Sequence, residues 1–571
     1  MNSRKWWIGA ASVAMLSAVI GCSGGGGGAN EQPAQNDNAG TTGNEAAAEQ
    51  PAAQEKVTFT YFNAAAAAKD INTNETTIGK MLEDQTGVNF KIEHLVGDLN
   101  TKIGTMIASN DYPDVLIPDA AIDKVIDAGG FIPLNDLIEE HGPNIKKVYG
   151  PYMEQMKAPD GNIYFLPFSN VVNEYIPDPS IMQGAFWVQR RVLEEAGYPK
   201  ITKLDDYFKL IEDYIAKHPD EDLTGFVALT HDWRFFATTN PPMHLEGYPN
   251  DGNVIVDMNT FEAKAYAASE STKRWLKKLN EINAKGMFDK SSFVDNYDQY
   301  LAKLTSGKVL GYFDYGWQTQ NASMVLADAA KADPSKDGFR YFPLPVTFDG
   351  QKDQYLDPPG FVKNRGIGIT VSAEDPARII QYWDNLLKEE NQILRSWGIK
   401  GETYEVDANG RMYRTAEQIA KIDESFNETF GFKYYSWNWP QWGNGSSLSD
   451  GNAVQPGVQP EVFQMSLTDA DKKFLEKYGV KTYSELFAPP EERPWYPAWA
   501  IPKEQGSPQQ IWETKKEELT KKYFPKLVLA DSNEFEAAWT EYTNEMGKLD
   551  TAGYEKWMTE EIKKLIEINK Q

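Results

Sequence analysis

The sequence predicts an α/β fold in more than one lobe, and three observations carry that prediction. The chain has 571 residues, more than one hydrophobic core ordinarily serves. From Val57 onward, short alternating runs of β-branched and aromatic residues are each followed by a helical pattern, which points to largely parallel sheets. Hydrophobic residues make up 41% of the chain and charged residues 25%, so real cores can be buried beneath a charged surface.

The elements follow in order. Val57-Thr58-Phe59-Thr60-Tyr61-Phe62 alternates as a strand. Thr76 to Gly87 reads as a helix stopped by glycine, and Val88 to Glu93 alternates again. Leu99 to Ser109 reads as a helix, and Asp114 to Ile117 as a short buried strand. Thr202-Lys203-Leu204-Asp205 reads as a capping box opening a helix to about Lys217, and Thr468-Asp469-Ala470-Asp471 as a second box. Asp375-Pro376 places a capping residue before a proline at the start of a helix over 377–389. Phe535, Trp539, Tyr542 and Met546 form an apolar stripe at helical spacing, and Trp187, Trp275 and Trp383 sit in core patterns. Asp160-Gly161 is a turn before a strand.

Charge and cysteine content exclude several classes. There are 57 Lys and Arg against 83 Asp and Glu, a net charge of −26, which argues against a nucleic-acid partner. One cysteine excludes a disulfide framework and a cysteine-based zinc site. The five histidines show no zinc-protease spacing, and neither a nucleophile elbow nor a phosphate loop occurs. Two carboxylates suffice for a glycosidase, so composition leaves that chemistry open.

At the N-terminus, Arg4 and Lys5 precede an apolar stretch from Trp6 to Ile20, the pattern of a signal peptide. Val19-Ile20-Gly21-Cys22 resembles a bacterial lipobox, which implies acylation (palmitate) at Cys22 after removal of residues 1–21. Residues 22–54 then read as a lipid-anchored, disordered linker of Gly, Ala, Asn, Gln and Glu, with a reach of roughly 30 Å.

Several stretches of the remaining chain carry a family resemblance: Asn110-Asp111-Tyr112-Pro113-Asp114-Val115, Gly130 to Ile138, Asp160 to Pro167, Trp187 to Leu193, Ser306 to Tyr312 and Trp397 to Tyr404. In this order, and with the lipobox, the chain resembles a family 1 extracellular solute-binding lipoprotein of an ABC transporter, in the oligosaccharide-binding group that includes alginate-binding proteins. The resemblance implies a two-lobed, periplasmic-binding-protein-like fold of type II, its discontinuous lobes joined by hinge strands. It would place one lobe at 55–167 and 345–397, and the other at 168–344 and 398–571. It also implies capture of an oligosaccharide between the lobes, delivery to ABC permease subunits, a monomer, and a lipid-anchored place on the outer face of a cell membrane, in a Gram-positive cell. The alternatives are a surface-tethered polysaccharide-cleaving enzyme and a peptide-binding member of the same fold. Alginate-binding relatives carry a calcium loop after the helix that here ends near Lys217. His218-Pro219-Asp220-Glu221-Asp222 lacks the oxygen spacing and the glycine of such a loop, so neither metal nor other cofactor is expected, and the acidic turn is expected to be exposed.

A sugar site needs flat rings beside hydrogen-bonding groups. With 16 Trp and 12% aromatic residues, candidates cluster at Trp233 and Arg234, at Tyr312, Tyr315 and Trp317, at Trp397 and Tyr404 around a glycine-rich turn, and at Trp437 and Trp439. The acidic balance favours neutral sugars over uronate chains unless Arg234, Arg365 or Lys400 stands in the site.

Overall fold

Alternation in β1 (Val57–Asn63) buries Phe59 and Tyr61 on one face, and parallel pairing follows on both of its edges. The computed structural model describes residues 55–66, 68–169, 171–436 and 438–569. The first sheet adds β2 (Ile71–Asn72), β3 (Val88–His94), β4 (Val115–Ile117) and β5 (Leu166–Ser169). The second sheet contains β6 (Gly184–Gln189) and β7 (Thr224–Val227), and β8 (Val254–Val256) pairs with β9 (Ala263–Ala265) in a small hairpin. The chain continues through β10 (Val309–Tyr315) and β11 (Tyr341–Leu344) to β12 (Val362–Ile369).

The first sheet has the order β2-β3-β1-β4-β12-β5, and the second β11-β6-β10-β7. β1 is parallel to β3 and β4, with Tyr61 level with Ile92 and Val115. β12 returns from the second sheet and inserts antiparallel between β4 and β5, so the first lobe is discontinuous in sequence. The second sheet is mixed rather than largely parallel: β6 runs antiparallel to β10 and β11, while β10 and β7 are parallel. All residues of β6 and β10 are buried, as expected of central strands covered on both faces.

Local chemistry accounts for the helix ends. The Thr76 hydroxyl accepts from the Gly79 amide at 3.0 Å, and Gly87 closes that helix at φ 69°. Asp375 caps the Pro376–Leu386 helix, and Thr468 and Asp471 form a reciprocal capping box. The helix expected to reach 389 ends at Leu386, and a second begins at Glu389. Thr202 does not cap Leu204–Lys217; Lys203 holds that position, and the Thr202 carbonyl instead accepts from the Thr347 amide at 2.9 Å.

Two large cores follow from the two sheets. One gathers Phe59, Tyr61, Phe90 and Ile367 with rings from 382–442; the other gathers Phe186, Tyr207, Trp275, Phe313 and the C-terminal rings Phe535, Trp539 and Tyr542. Residues 404–462 thus supply side chains to the first core, whereas the family resemblance implies 398–571 in the second lobe. The reason is ring packing: Trp439 lies 5.0 Å from Tyr61, 5.1 Å from Phe90 and 5.6 Å from Tyr382, between centroids. Among the described residues, no helix is long and apolar enough to cross a membrane.

Candidate aromatic platform and junction cavity

Strand β10 runs buried to its last residue and turns directly into the Gly316–Ala332 helix. A side chain at position 316 would put its Cβ 1.9 Å from the Ile181 carbonyl oxygen, so the turn requires glycine. The Gly316 and Trp317 amides donate to the Gln183 and Met182 carbonyls at 3.1 and 3.2 Å. This anchorage leaves the Trp317 ring in the first helical turn, 45% exposed.

The second part of the platform comes from a short 3-10 turn, Asp232–Phe235. Asp232 accepts from the Arg234 amide at 3.0 Å and from its guanidinium at 2.7 Å. The Arg234 guanidinium lies over the rings of Trp233 and Tyr297, at 4.6 and 4.2 Å. Trp233 is 56% exposed. Its ring lies 5.9 Å from that of Trp317 with planes 8° apart, and Phe236 lies 5.9 and 6.2 Å from the two, tilted by 13° and 18°. Three nearly parallel rings, two of them exposed, make a surface suited to a flat apolar ligand face.

Beneath the platform is a polar layer. Asp314 accepts from the Tyr315 amide and Gln318 side chain, both at 2.7 Å, and from the Tyr300 hydroxyl at 2.9 Å. Burial pushes its carboxyl up to about 7, against the pull of these donors. The Tyr315 hydroxyl accepts from Asn240 Nδ2 at 2.9 Å and lies 3.0 Å from His244 Nε2. His244 Nδ1 lies 3.0 Å from the Tyr248 carbonyl and so donates, which leaves Nε2 to accept from the tyrosine. Burial holds this imidazole down at about 4, so it is neutral. Asn240 also reaches Asn250 at 3.2 Å, and the Asn250 amide lies 3.4 Å from the carboxylate of Asp357.

Asp357 opens onto a cavity of about 210 Å³ at the junction of the two lobes. Tyr175, Gln183, Asn444, Tyr496 and Trp499 share its wall. Tyr175 and Asp357 belong to stretches through which the chain passes from one core to the other. Burial pushes the Asp357 carboxyl up to about 7, opposed by the Tyr496 hydroxyl and the Asn250 amide. Gly360 brings its backbone close to Tyr496, where a Cβ would meet the ring at 2.8 Å. The Gln183 carbonyl that anchors Gly316 belongs to a cavity-lining residue, so platform and cavity share one segment.

Of the residues named from sequence, the structure brings Trp233, Arg234, Tyr315 and Trp317 together, with Tyr315 buried under the rings. It moves four others into the cores. Tyr312 is wholly buried in β10, beside Tyr341. Trp397 is buried and donates to the Ala453 carbonyl at 2.9 Å, with Tyr404 packed on its ring. Trp439 is buried and donates to the Tyr434 carbonyl at 3.0 Å. Each indole nitrogen has found a backbone acceptor, which lets the ring serve as core despite the polar sequence around it. Trp437 and Cys22 lie outside the described residues. Sequence reasoning missed Tyr175, Asp357, Tyr496 and Trp499 as lining residues. The available signal was the pair of proline-bounded runs Asp357-Pro358-Pro359-Gly360 and Trp495-Tyr496-Pro497-Ala498-Trp499. In the acidic turn, Glu221 pairs with Arg191 at 2.8 Å and Asp222 with Lys308 at 2.6 Å.

A family described as bacterial extracellular solute-binding protein matches residues 77–394. The chain belongs to this family. FusA, the fructooligosaccharide ABC transporter substrate-binding protein of Streptococcus pneumoniae, is 27% identical over 366 residues, 61% of this chain and 64% of FusA. Lipoprotein LipO of Bacillus subtilis is 21% identical over 356 residues, 57% of this chain and 64% of LipO. The matched regions therefore span about 64% of the length of these curated relatives. In three dimensions, FusA in complex with kestose superposes with a TM-score of 0.63 at 18% identity, covering 89% of this chain and 99% of that one. The alginate-binding protein AlgQ2, solved without calcium, gives 0.61 at 18% identity, covering 89% and 98%. These likenesses establish the two-lobed solute-binding fold.

Proposed function

We propose that this protein is the extracellular capture component of an ABC importer and that its solute is an oligosaccharide. The observation that carries the reading is the near-parallel array of Trp233, Phe236 and Trp317, the two tryptophans exposed, beside a cavity walled by rings, amides and one carboxylate. Sugar rings present apolar C–H faces to such platforms and hydroxyls to such rims. The resemblance to FusA supports a sugar as solute and a membrane permease as partner. LipO, a lipoprotein, together with Val19-Ile20-Gly21-Cys22, supports a lipid anchor at Cys22 that keeps the monomer at the outer membrane face.

The mechanism is binding without chemistry. With the lobes apart the ligand enters at the junction, its faces meet the platform, and polar groups replace water at its hydroxyls. Closure is a hinge motion along the stretches that join the cores, and ligand favours it only through contacts made in the closed state. The permease then recognises the closed pair of lobes. The lobes comprise about 55–167 with 362–462, and 181–355 with 474–569, a division supported by the membership of the two cores.

The test is a thermal-shift screen of the full chain against uncharged oligosaccharides, kestose first, followed by chromatography of the incubated sugars. A binder raises its melting temperature with ligand concentration and returns the sugar intact. Shortened products would instead establish a polysaccharide-cleaving enzyme. No shift with any sugar would end the proposal.

A further inference from the structure

Trp233 and Trp317 sit on separate segments, and a second route of contacts joins them besides their own ring pairing. We propose, building on the oligosaccharide reading above, that Arg234 is a positioning residue of the platform rather than a solute contact: its guanidinium, set against both Trp233 and Tyr297, holds the Trp233 ring parallel to that of Trp317.

The route runs from Trp233 through Arg234, Tyr297 and Gln318 to Trp317. The Arg234 guanidinium lies over the Trp233 ring at 4.6 Å and over the Tyr297 ring at 4.2 Å. Tyr297 opens the Tyr297–Thr305 helix, where Asn296 and Gln299 form a reciprocal capping box, so its backbone is fixed. Its hydroxyl donates to the carbonyl of Gln318, the residue that follows Trp317. Gln318 is itself buried and donates to Asp314 at 2.7 Å. At the other end, Asp232 has a left-handed backbone, φ 49°, which Asp tolerates better than most residues. Its carboxylate accepts from the Arg234 amide at 3.0 Å and from the guanidinium at 2.7 Å.

A ring left half in solvent gains little orientation from burial, so specific contacts must set its plane. A guanidinium suits that task because it is planar and stacks on aromatic faces, whereas a lysine ammonium is a point charge on a flexible stem. The same contacts occupy the cation. The Arg234 side chain is 22% exposed and its charge is met by Asp232, while the two indoles stay open to solvent. The platform therefore offers the solute its rings, and the arginine serves the rings.

The experiment joins fluorine NMR of the full chain, labelled with 5-fluorotryptophan, to calorimetric titration with kestose, maltotriose and xylotriose. Trp233→Phe and Trp317→Phe assign the two resonances. Arg234→Met is expected to shift the Trp317 resonance, although the Arg234 ring contacts are with Trp233 and Tyr297, and to weaken the best-bound sugar about 10-fold. Arg234→Lys should recover part of that loss, leaving about 3-fold. Tyr297→Phe keeps every ring and the arginine but breaks the link to Gln318; it is expected to shift the same resonance and weaken the sugar about 3-fold. An unmoved Trp317 resonance in either Arg234→Met or Tyr297→Phe overturns the proposal. If affinity falls in Arg234→Met with that resonance unmoved, Arg234 is a solute contact and the oligosaccharide reading stands. Wild-type affinity in both variants also overturns the proposal. Should Arg234→Met fail to fold in urea titrations, Arg234→Lys and Tyr297→Phe decide by the same two readouts. If no sugar binds the wild type, the oligosaccharide reading falls and the proposed role with it.

Discussion

Trp233 and Trp317 come from separate segments, one a 3-10 turn and the other the first turn of a helix, yet their ring planes lie 8° apart at 5.9 Å. Both are about half exposed, and Phe236 backs them. A pair of large rings left about half exposed to solvent is the feature from which the functional reading starts.

Trp317→Ala is therefore expected to weaken oligosaccharide binding by about 10- to 100-fold while changing stability by less than about 1 kcal/mol, since the ring is exposed. Titration calorimetry and urea denaturation measure the two effects separately. Loss of binding accompanied by comparable unfolding would show that the ring serves packing instead.

Trp439→Ala is expected to do the reverse. Its ring is wholly buried among Tyr61, Phe90 and Tyr435, so truncation costs about 3–5 kcal/mol of stability. Under conditions where the variant remains folded, its affinity for sugar should stay within about threefold of wild type. A fall as large as that of Trp317→Ala would return Trp439 to the ligand site.

Arg190 ties the Asp469–Tyr478 helix to the second core. Its guanidinium bonds Asp471, reaches Asp337 at 3.1 Å, and is itself buried, while Arg340 and the Tyr483 hydroxyl join Asp471 at 3.0 and 2.9 Å. Against a burial cost that would raise it, the two guanidiniums hold the Asp471 carboxyl well below the usual range. Arg190→Ala leaves that carboxylate with Arg340 as its remaining cation, at a cost of about 2–4 kcal/mol in denaturant titrations at pH 7. Because the folded value is depressed, this support is present above the ordinary aspartate range and fades as pH falls below it. The gap between wild type and variant should narrow in acid.

Asp314 has the opposite sign. Burial raises its folded value to about 7, so the stability it contributes is complete below the ordinary aspartate value of about 4 and is lost as pH rises toward 7. Asp314→Asn removes this dependence. Wild type should gain on the variant as pH is lowered from 7.5 to 4.5, with a slope approaching about 1.4 kcal/mol per pH unit. Parallel stability profiles over that window would contradict the assigned ionisation.

Much of the fold was legible because it rests on local rules. Alternation placed β1 and β3, Gly87 ended its helix, Asp375-Pro376 opened another, and the stripe Phe535, Trp539, Tyr542 and Met546 is buried as its spacing implied. Thr202 misled because its carbonyl is claimed by Thr347, a partner brought close only by folding. The mixed second sheet likewise depends on which strands meet, and alternation alone does not encode that.

The candidate site divides along the same line. Composition and order of residues determined that rings and polar groups cluster, that the body is acidic, and that a glycine separates Tyr315 from Trp317. Only tertiary structure decided which rings face solvent. Trp439 and Trp317 stand in similar aromatic, polar surroundings, but a Tyr434 carbonyl satisfies one indole within a closed core, while the Gly316 turn lifts the other onto the surface. Exposure of a ring is set by what the rest of the chain packs over it. Asp357, Tyr496 and Tyr175 meet around one cavity for the same reason: residues far apart in sequence become neighbours only where the chain crosses between its two cores.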